Sequence, residues 1–130
     1  MTLKMNPKRA YQEQAVRGAN PVRLTILLYD QLIRDVSRAS EALIDARIEQ
    51  CAQEIGHAVA VIGYLQATLR QDGGRDVARN LGRFYTMLRE RLMEAQVRSS
   101  RQILGELQQQ LAEVREAWIK VEAETVLAGQ

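Results

Sequence analysis

Glu54-x-x-His57 places a carboxylate and an imidazole one helical turn apart, which is half of a carboxylate-bridged di-iron pattern. That pattern needs two such pairs on facing helices, and the chain holds one His. A ferritin-like metal enzyme is therefore disfavoured, and the plainer reading is an edge-lying His beside a Glu. One Cys, Cys51, excludes an intramolecular disulfide framework and a Cys-rich zinc site. It reads as a buried structural thiol. Ser37, Ser40, Ser99 and Ser100 stand in polar or capping contexts, without a Gly-x-Ser-x-Gly elbow. There is no Gly-rich loop to cradle phosphate, and Gly73-Gly74 reads as an interhelical turn. Carboxylates alternate with arginines around residues 89–94, which describes a solvated face and not an acid/base dyad. The expectation is a protein without catalytic residues, cofactor or metal.

Arg75, Arg79 and Arg83 recur every four residues, a row able to track phosphates. It lacks stacking aromatics, and the net charge is only +2. A small RNA-binding bundle using this row is the second-ranked reading, and nucleic acid is not the expected partner. The charge is uneven. Residues 1–23 carry Lys4, Lys8, Arg9, Arg17 and Arg23 against Glu13 alone, so a basic arm precedes a slightly acidic body.

The elements behind these residues are helical. The chain has 130 residues, enough for one core, with 2 Pro and 5% aromatic residues. Such a composition argues against an all-β fold. Asn20-Pro21 is a helix start, and Leu24, Leu28, Leu32, Val36 and Ala39 continue one apolar stripe. Similar stripes follow through Cys51 to Leu69, Val77 to Ala95 and Ile103 to Val121. The breaks are a short gap near residue 47, Gly73-Gly74 and Ser99-Ser100. These signals predict helices over about 21–46, 48–70, 75–97 and 100–122. They form an all-α, antiparallel four-helix bundle spanning residues 20–123, because short connections force antiparallel neighbours. Residues 1–19 read as a mobile basic arm with a short helix, and residues 124–130 as a frayed tail. No segment resembles a signal peptide, and no run reaches the roughly 18 apolar residues of a membrane span. A reducing cytoplasm is the expected compartment.

Some apolar groups exceed the stripes. Ile26, Leu27, Leu28 and Tyr29 are consecutive, as are Phe84 and Tyr85, so part of this surface is expected to face something besides the core. Gly56, Gly63, Gly82 and Gly105 fall inside helices, where each costs up to about 1 kcal/mol relative to Ala. The expected reason is close approach of another backbone, either a helix of the bundle or a partner segment.

Ala19-Asn20-Pro21-Val22-Arg23-Leu24, then Leu28-Tyr29-Asp30, resembles the start of the FliS family of flagellar export chaperones. The resemblance continues through Gly73-Gly74-Arg75-Asp76-Val77-Ala78-Arg79-Asn80-Leu81, Tyr85, Arg91-Leu92-x-x-Ala95 and Leu111-x-x-Val114-Arg115-x-Ala117-Trp118. Tyr11 sits where the family usually has a Tyr. The chain departs from the family at Gln31, usually Gly, and at Gln96, usually Asn. The resemblance covers about residues 6–122. It implies a cytoplasmic, non-enzymatic bundle that binds the disordered C-terminal segment of flagellin, prevents premature polymerisation and hands the cargo to the type III export gate.

On that reading Leu28, Tyr29, Leu81, Tyr85 and Leu88 are the expected apolar groove residues. Asn80 either hydrogen-bonds the partner's backbone or satisfies a neighbouring helix. Asp30 and Arg115 are expected to form a cross-helix ion pair that sets register, and Trp118 to anchor the fourth helix on the first. The arm around Tyr11 is expected to cover part of the groove in the free protein and to act at the export gate. The free chain is expected to be a monomer or weak homodimer.

Overall fold

Pro21 opens α1, Pro21–Ile44, at the one helical position where a missing amide leaves nothing unsatisfied. The computed structural model describes residues 21–69 and 76–128, with side chains as far as residue 125. The arm with Tyr11, the Gly73-Gly74 turn and Arg75 lie outside the described residues. Three further helices follow: α2, Ile48–Leu69; α3, Asp76–Arg98; and α4, Arg101–Ala128. No strand occurs among the described residues.

Two helix ends are closed by the same backbone device. At the α1–α2 link Ala46 takes a left-handed φ of 56°. The Arg47 amide donates to the Ala42 carbonyl at 2.8 Å, and the Ala46 amide to the Leu43 carbonyl at 3.1 Å. At the α3–α4 link Ser99 has φ 48°, with Ser100 donating to Ala95 at 2.9 Å and Ser99 to Gln96 at 3.3 Å. These are Schellman closures built without glycine. Ser100 then caps α4, its Oγ accepting the Ile103 amide at 3.1 Å. Ala46, expected inside the first helix, instead ends it. α4 continues past residue 122 to Ala128, because neither Gly nor Pro interrupts the chain before Gly129.

The tight links make consecutive helices antiparallel. α1 packs on α2 and α4, and α3 packs on α2 and α4 with sparser contacts. The result is an up-down-up-down bundle. Its core is one cluster including Leu24, Leu32 and Val36 from α1, Ile55, Ile62 and Leu65 from α2, Tyr85, Leu88 and Leu92 from α3, and Leu104, Leu107 and Leu111 from α4. The stripes overreach at their outer ends, where Val77 is 68% and Val121 39% exposed. Ion pairs tie α1 to α4 on the outside. Arg23 is bidentate to Glu122, and Arg115 Nε donates to Asp30 Oδ1 at 2.5 Å. Arg91 spans α3 and α4, meeting Glu94 at 2.8 Å and Glu106 at 2.7 Å.

The four helical glycines are not contact sites within the bundle. A Cβ on Gly56, Gly63 or Gly105 would meet nothing within 4 Å, and one on Gly82 only Leu69 Cδ1 at 3.9 Å. Among the described residues the close approach of a neighbouring helix expected from the sequence does not occur. Helix–helix spacing here is set by Leu, Ile and Tyr side chains, which stand the axes too far apart to need glycine.

Candidate functional site

Antiparallel order gathers the start of α1, the end of α2, the start of α3 and the last third of α4 at one pole. Among the described residues, apolar side chains on all four helices are left partly exposed there. Val22 and Thr25 of α1, Leu65 and Leu69 of α2, Val77, Ala78 and Leu81 of α3, and Trp118 of α4 enclose an apolar groove of about 430 Å³. Pro21, Thr68 and Tyr85 complete its lining.

An aromatic cluster supports this groove from below. The Tyr29 and Tyr85 hydroxyls share a hydrogen bond of 2.8 Å in the core. Their ring centroids are 6.3 Å apart, and Trp118 lies 6.5 Å from Tyr29, both pairs tilted as aromatic quadrupoles prefer. Burial pushes the Tyr29 phenol pKa upward, partly offset by the Tyr85 hydroxyl. Burial raises Tyr85 as well, and its bond to Tyr29 adds to the effect. Both phenols therefore stay neutral across physiological pH. Trp118 Nε1 is buried without a hydrogen-bond partner among the described residues.

Two further hollows flank α2. Between α2 and α3 lies an open groove of about 750 Å³, with Leu69, Gly82 and Met87 on its floor and Arg79, Arg83 and Arg89 at its sides. Between α1 and α2 lies a polar cleft of about 490 Å³ around Gln31, Arg34, Arg38, Glu54 and His57. At its base Asp35 is 1% exposed, with His57 Nδ1 2.6 Å from Oδ2 and Gln31 Nε2 donating to Oδ1 at 2.9 Å. Burial raises the Asp35 pKa, against the lowering effects of Gln31 and His57. His57 thus turns to Asp35. Among the described residues no group of three or more potential metal ligands gathers.

The expected groove residues divide. Leu81 and Tyr85 line the apolar groove at the pole, Leu81 half-buried and Tyr85 as buried floor. Leu28, Tyr29 and Leu88 do not line it. All three are core residues, because each points along the stripe shared by the four helices. Asn80 is exposed, lines neither groove and makes no side-chain hydrogen bond among the described residues, so it satisfies no neighbouring helix. Asp30 and Arg115 are brought together, and Trp118 packs against Tyr29 across α1 and α4. Burial raises the Cys51 thiol pKa, with Glu54 adding to it, which suits an inert core thiol. Phe84 packs partly on the core. Sequence reasoning missed Val22, Thr25, Leu65, Leu69 and Ala78 as groove residues. Their common signal is position within the first or last turns of helices that begin or end at one pole.

The family described as Flagellar protein FliS matches residues 4–125 of the chain. The chain belongs to the FliS family. Among its relatives, the flagellar secretion chaperone FliSB of Pseudomonas aeruginosa is 32% identical over 118 residues, 88% of this chain and 94% of that protein. The flagellar secretion chaperone FliS of Bacillus subtilis is 26% identical over 113 residues, covering 87% and 84% respectively. That of Salmonella typhimurium is 29% identical over 110 residues, covering 84% and 82%. FliS proteins are flagellar export chaperones and not enzymes. For this FliS-family chain the features that call for explanation are therefore surfaces that hold another polypeptide.

Proposed function

We propose that the chain binds the disordered C-terminal segment of flagellin in the cytoplasm, keeps it from polymerising early and delivers it to the flagellar type III export gate. Membership of the FliS family supports the class of function. The observation that carries the binding mode is the apolar groove at the open pole, where Val77 is 68% exposed beside half-buried Leu81 and Leu69. Among the described residues no helix is long and apolar enough to cross a membrane.

The mechanism is coupled folding and binding. A disordered segment loses chain entropy on docking, on the order of several kcal/mol. Burial of its apolar side chains against Val22, Leu69, Val77 and Leu81 offsets that loss. Tyr29, Leu28 and Leu88 act from beneath by holding the groove's shape. Asn80, exposed on α3 and without a side-chain hydrogen bond among the described residues, offers a donor and an acceptor to the partner's backbone.

Calorimetric titration of Val77→Asp and Leu81→Asp with flagellin tests the binding mode. A charge in an apolar contact should weaken binding at least about tenfold. Val97→Asp is the matched control, since Val97 is exposed near the end of α3, at the opposite pole, and lines none of the grooves described. Equal affinity for all three variants would overturn the assignment of the pole.

A further inference from the structure

The polar cleft between α1 and α2 shares no lining residue with either of the other two grooves. Its volume of about 490 Å³ falls within the range of about 300–1,000 Å³ usual for small-ligand sites. Its charges are sorted unevenly. Each carboxylate in it is held by a group other than arginine. Glu54 Oε2 accepts from Gln50 Nε2 at 2.6 Å, and Asp35 is engaged by Gln31 and His57. The two guanidiniums of the cleft are left over. Arg34 Nη2 donates to the neutral Gln31 Oε1 at 2.8 Å, and Arg38 makes no hydrogen bond or ion pair among the described residues. Arg23, Arg47, Arg79, Arg91, Arg98 and Arg115 by contrast each meet a carboxylate. Gln31 donates to Asp35 and accepts from Arg34, so it holds that guanidinium at the cleft without cancelling its charge.

Arg34 and Arg38 stand four residues apart on one exposed helix face, where two planar donor forks reach a single oxyanion. Across from them, the Gln53 amide and the second oxygen of Glu54 suit hydroxyl groups. We propose that this cleft binds a small sugar phosphate, with its phosphoryl oxygens on Arg34 and Arg38 and its hydroxyls on Gln53 and Glu54. Asp35 does not face such a ligand, because it is 1% exposed and both of its oxygens are engaged. An amphipathic helix is a poorer match, since every lining residue is polar or charged and offers no apolar floor. The site is thus chemically distinct from the apolar pole and stands whether or not the pole holds flagellin.

Calorimetric titration and thermal unfolding test this on wild type, Arg34→Gln/Arg38→Gln and Glu54→Ala. The probes are ribose 5-phosphate, ribose, inorganic phosphate and an oligoglutamate peptide. Wild type should bind ribose 5-phosphate at least about tenfold more tightly than ribose or inorganic phosphate, and its melting temperature should rise as that ligand is added. The double arginine variant should lose at least about tenfold in affinity for ribose 5-phosphate, with unchanged helicity. Glu54→Ala should narrow the preference over inorganic phosphate without weakening the binding of inorganic phosphate itself. Equal wild-type affinity for ribose 5-phosphate and ribose would overturn the proposal. So would equal affinity for ribose 5-phosphate and inorganic phosphate, which would leave an adventitious ion only. Binding that the two arginine substitutions do not change would overturn it too. Tighter binding of the oligoglutamate peptide, lost with the same two arginines, would overturn it in favour of an acidic protein partner.

Discussion

At the scale of single residues, two buried polar pairs define how the bundle tolerates polarity. The Tyr29–Tyr85 hydroxyl bond at 2.8 Å satisfies two groups that would otherwise be stranded in the core. Tyr29→Phe or Tyr85→Phe alone should cost about 1–2 kcal/mol, since each leaves one hydroxyl unpaired. The double Phe variant should recover much of that loss. Urea unfolding of the three variants checks the cycle, and additive losses would contradict it. Asp35 is the other case. A carboxyl whose pKa is raised in the fold binds more protons there than in the unfolded chain. Stability therefore falls as pH rises from 3.8 through the folded pKa, and the burial cost persists above it. His57, whose side chain is 46% exposed, keeps access to water without its partner. Asp35→Asn should hence match or exceed wild type at pH 8, with the gain shrinking toward pH 4. A loss above about 2 kcal/mol at pH 8 would show that the bond to His57 outweighs desolvation. Neither pair was legible from spacing. Tyr29 and Tyr85 are far apart in sequence, and Glu54 stood nearer to His57 by helical turn than the true partner Asp35.

At the scale of elements, the helices and their order followed from stripes, Pro21 and Ser100, because these signals act locally. What failed was local conformation that tertiary context imposes. Ala46 and Ser99 adopt left-handed backbone without being Gly, held by paired amide bonds to the helix end. Nothing in an Ala or Ser announces that. The glycines failed in the opposite sense, suggesting tight contacts that the bundle does not contain. Since Gly56, Gly63 and Gly105 have open space around them, Ala at each should stabilise the free protein by up to about 1 kcal/mol. Thermal unfolding of the three single variants measures this. A lower melting temperature in any of them would reveal a contact that the geometry lacks. Groove residues were half legible. Leu81 and Tyr85 stand on a visible stripe, but Val22, Leu65 and Leu69 join them only once four helix ends meet at one pole.

At the scale of the whole molecule, the architecture explains why a chain poor in reactive groups acts by surface. Ion pairs close the α1–α4 and α3–α4 sides of the bundle. α3 is held more sparsely by its neighbours, and both the apolar pole and the cationic groove border it. A partner that follows these two grooves covers the loosest helix of the fold. Binding should therefore raise the stability of α3 most, and hydrogen exchange of its amides should slow on adding flagellin more than exchange in α1. The central claim is that the bundle recognises the C-terminal segment of flagellin. Its most direct measurement is calorimetric titration with full-length flagellin and with flagellin lacking that segment. The account predicts binding of the first and none of the second, whereas equal affinity for both would contradict it.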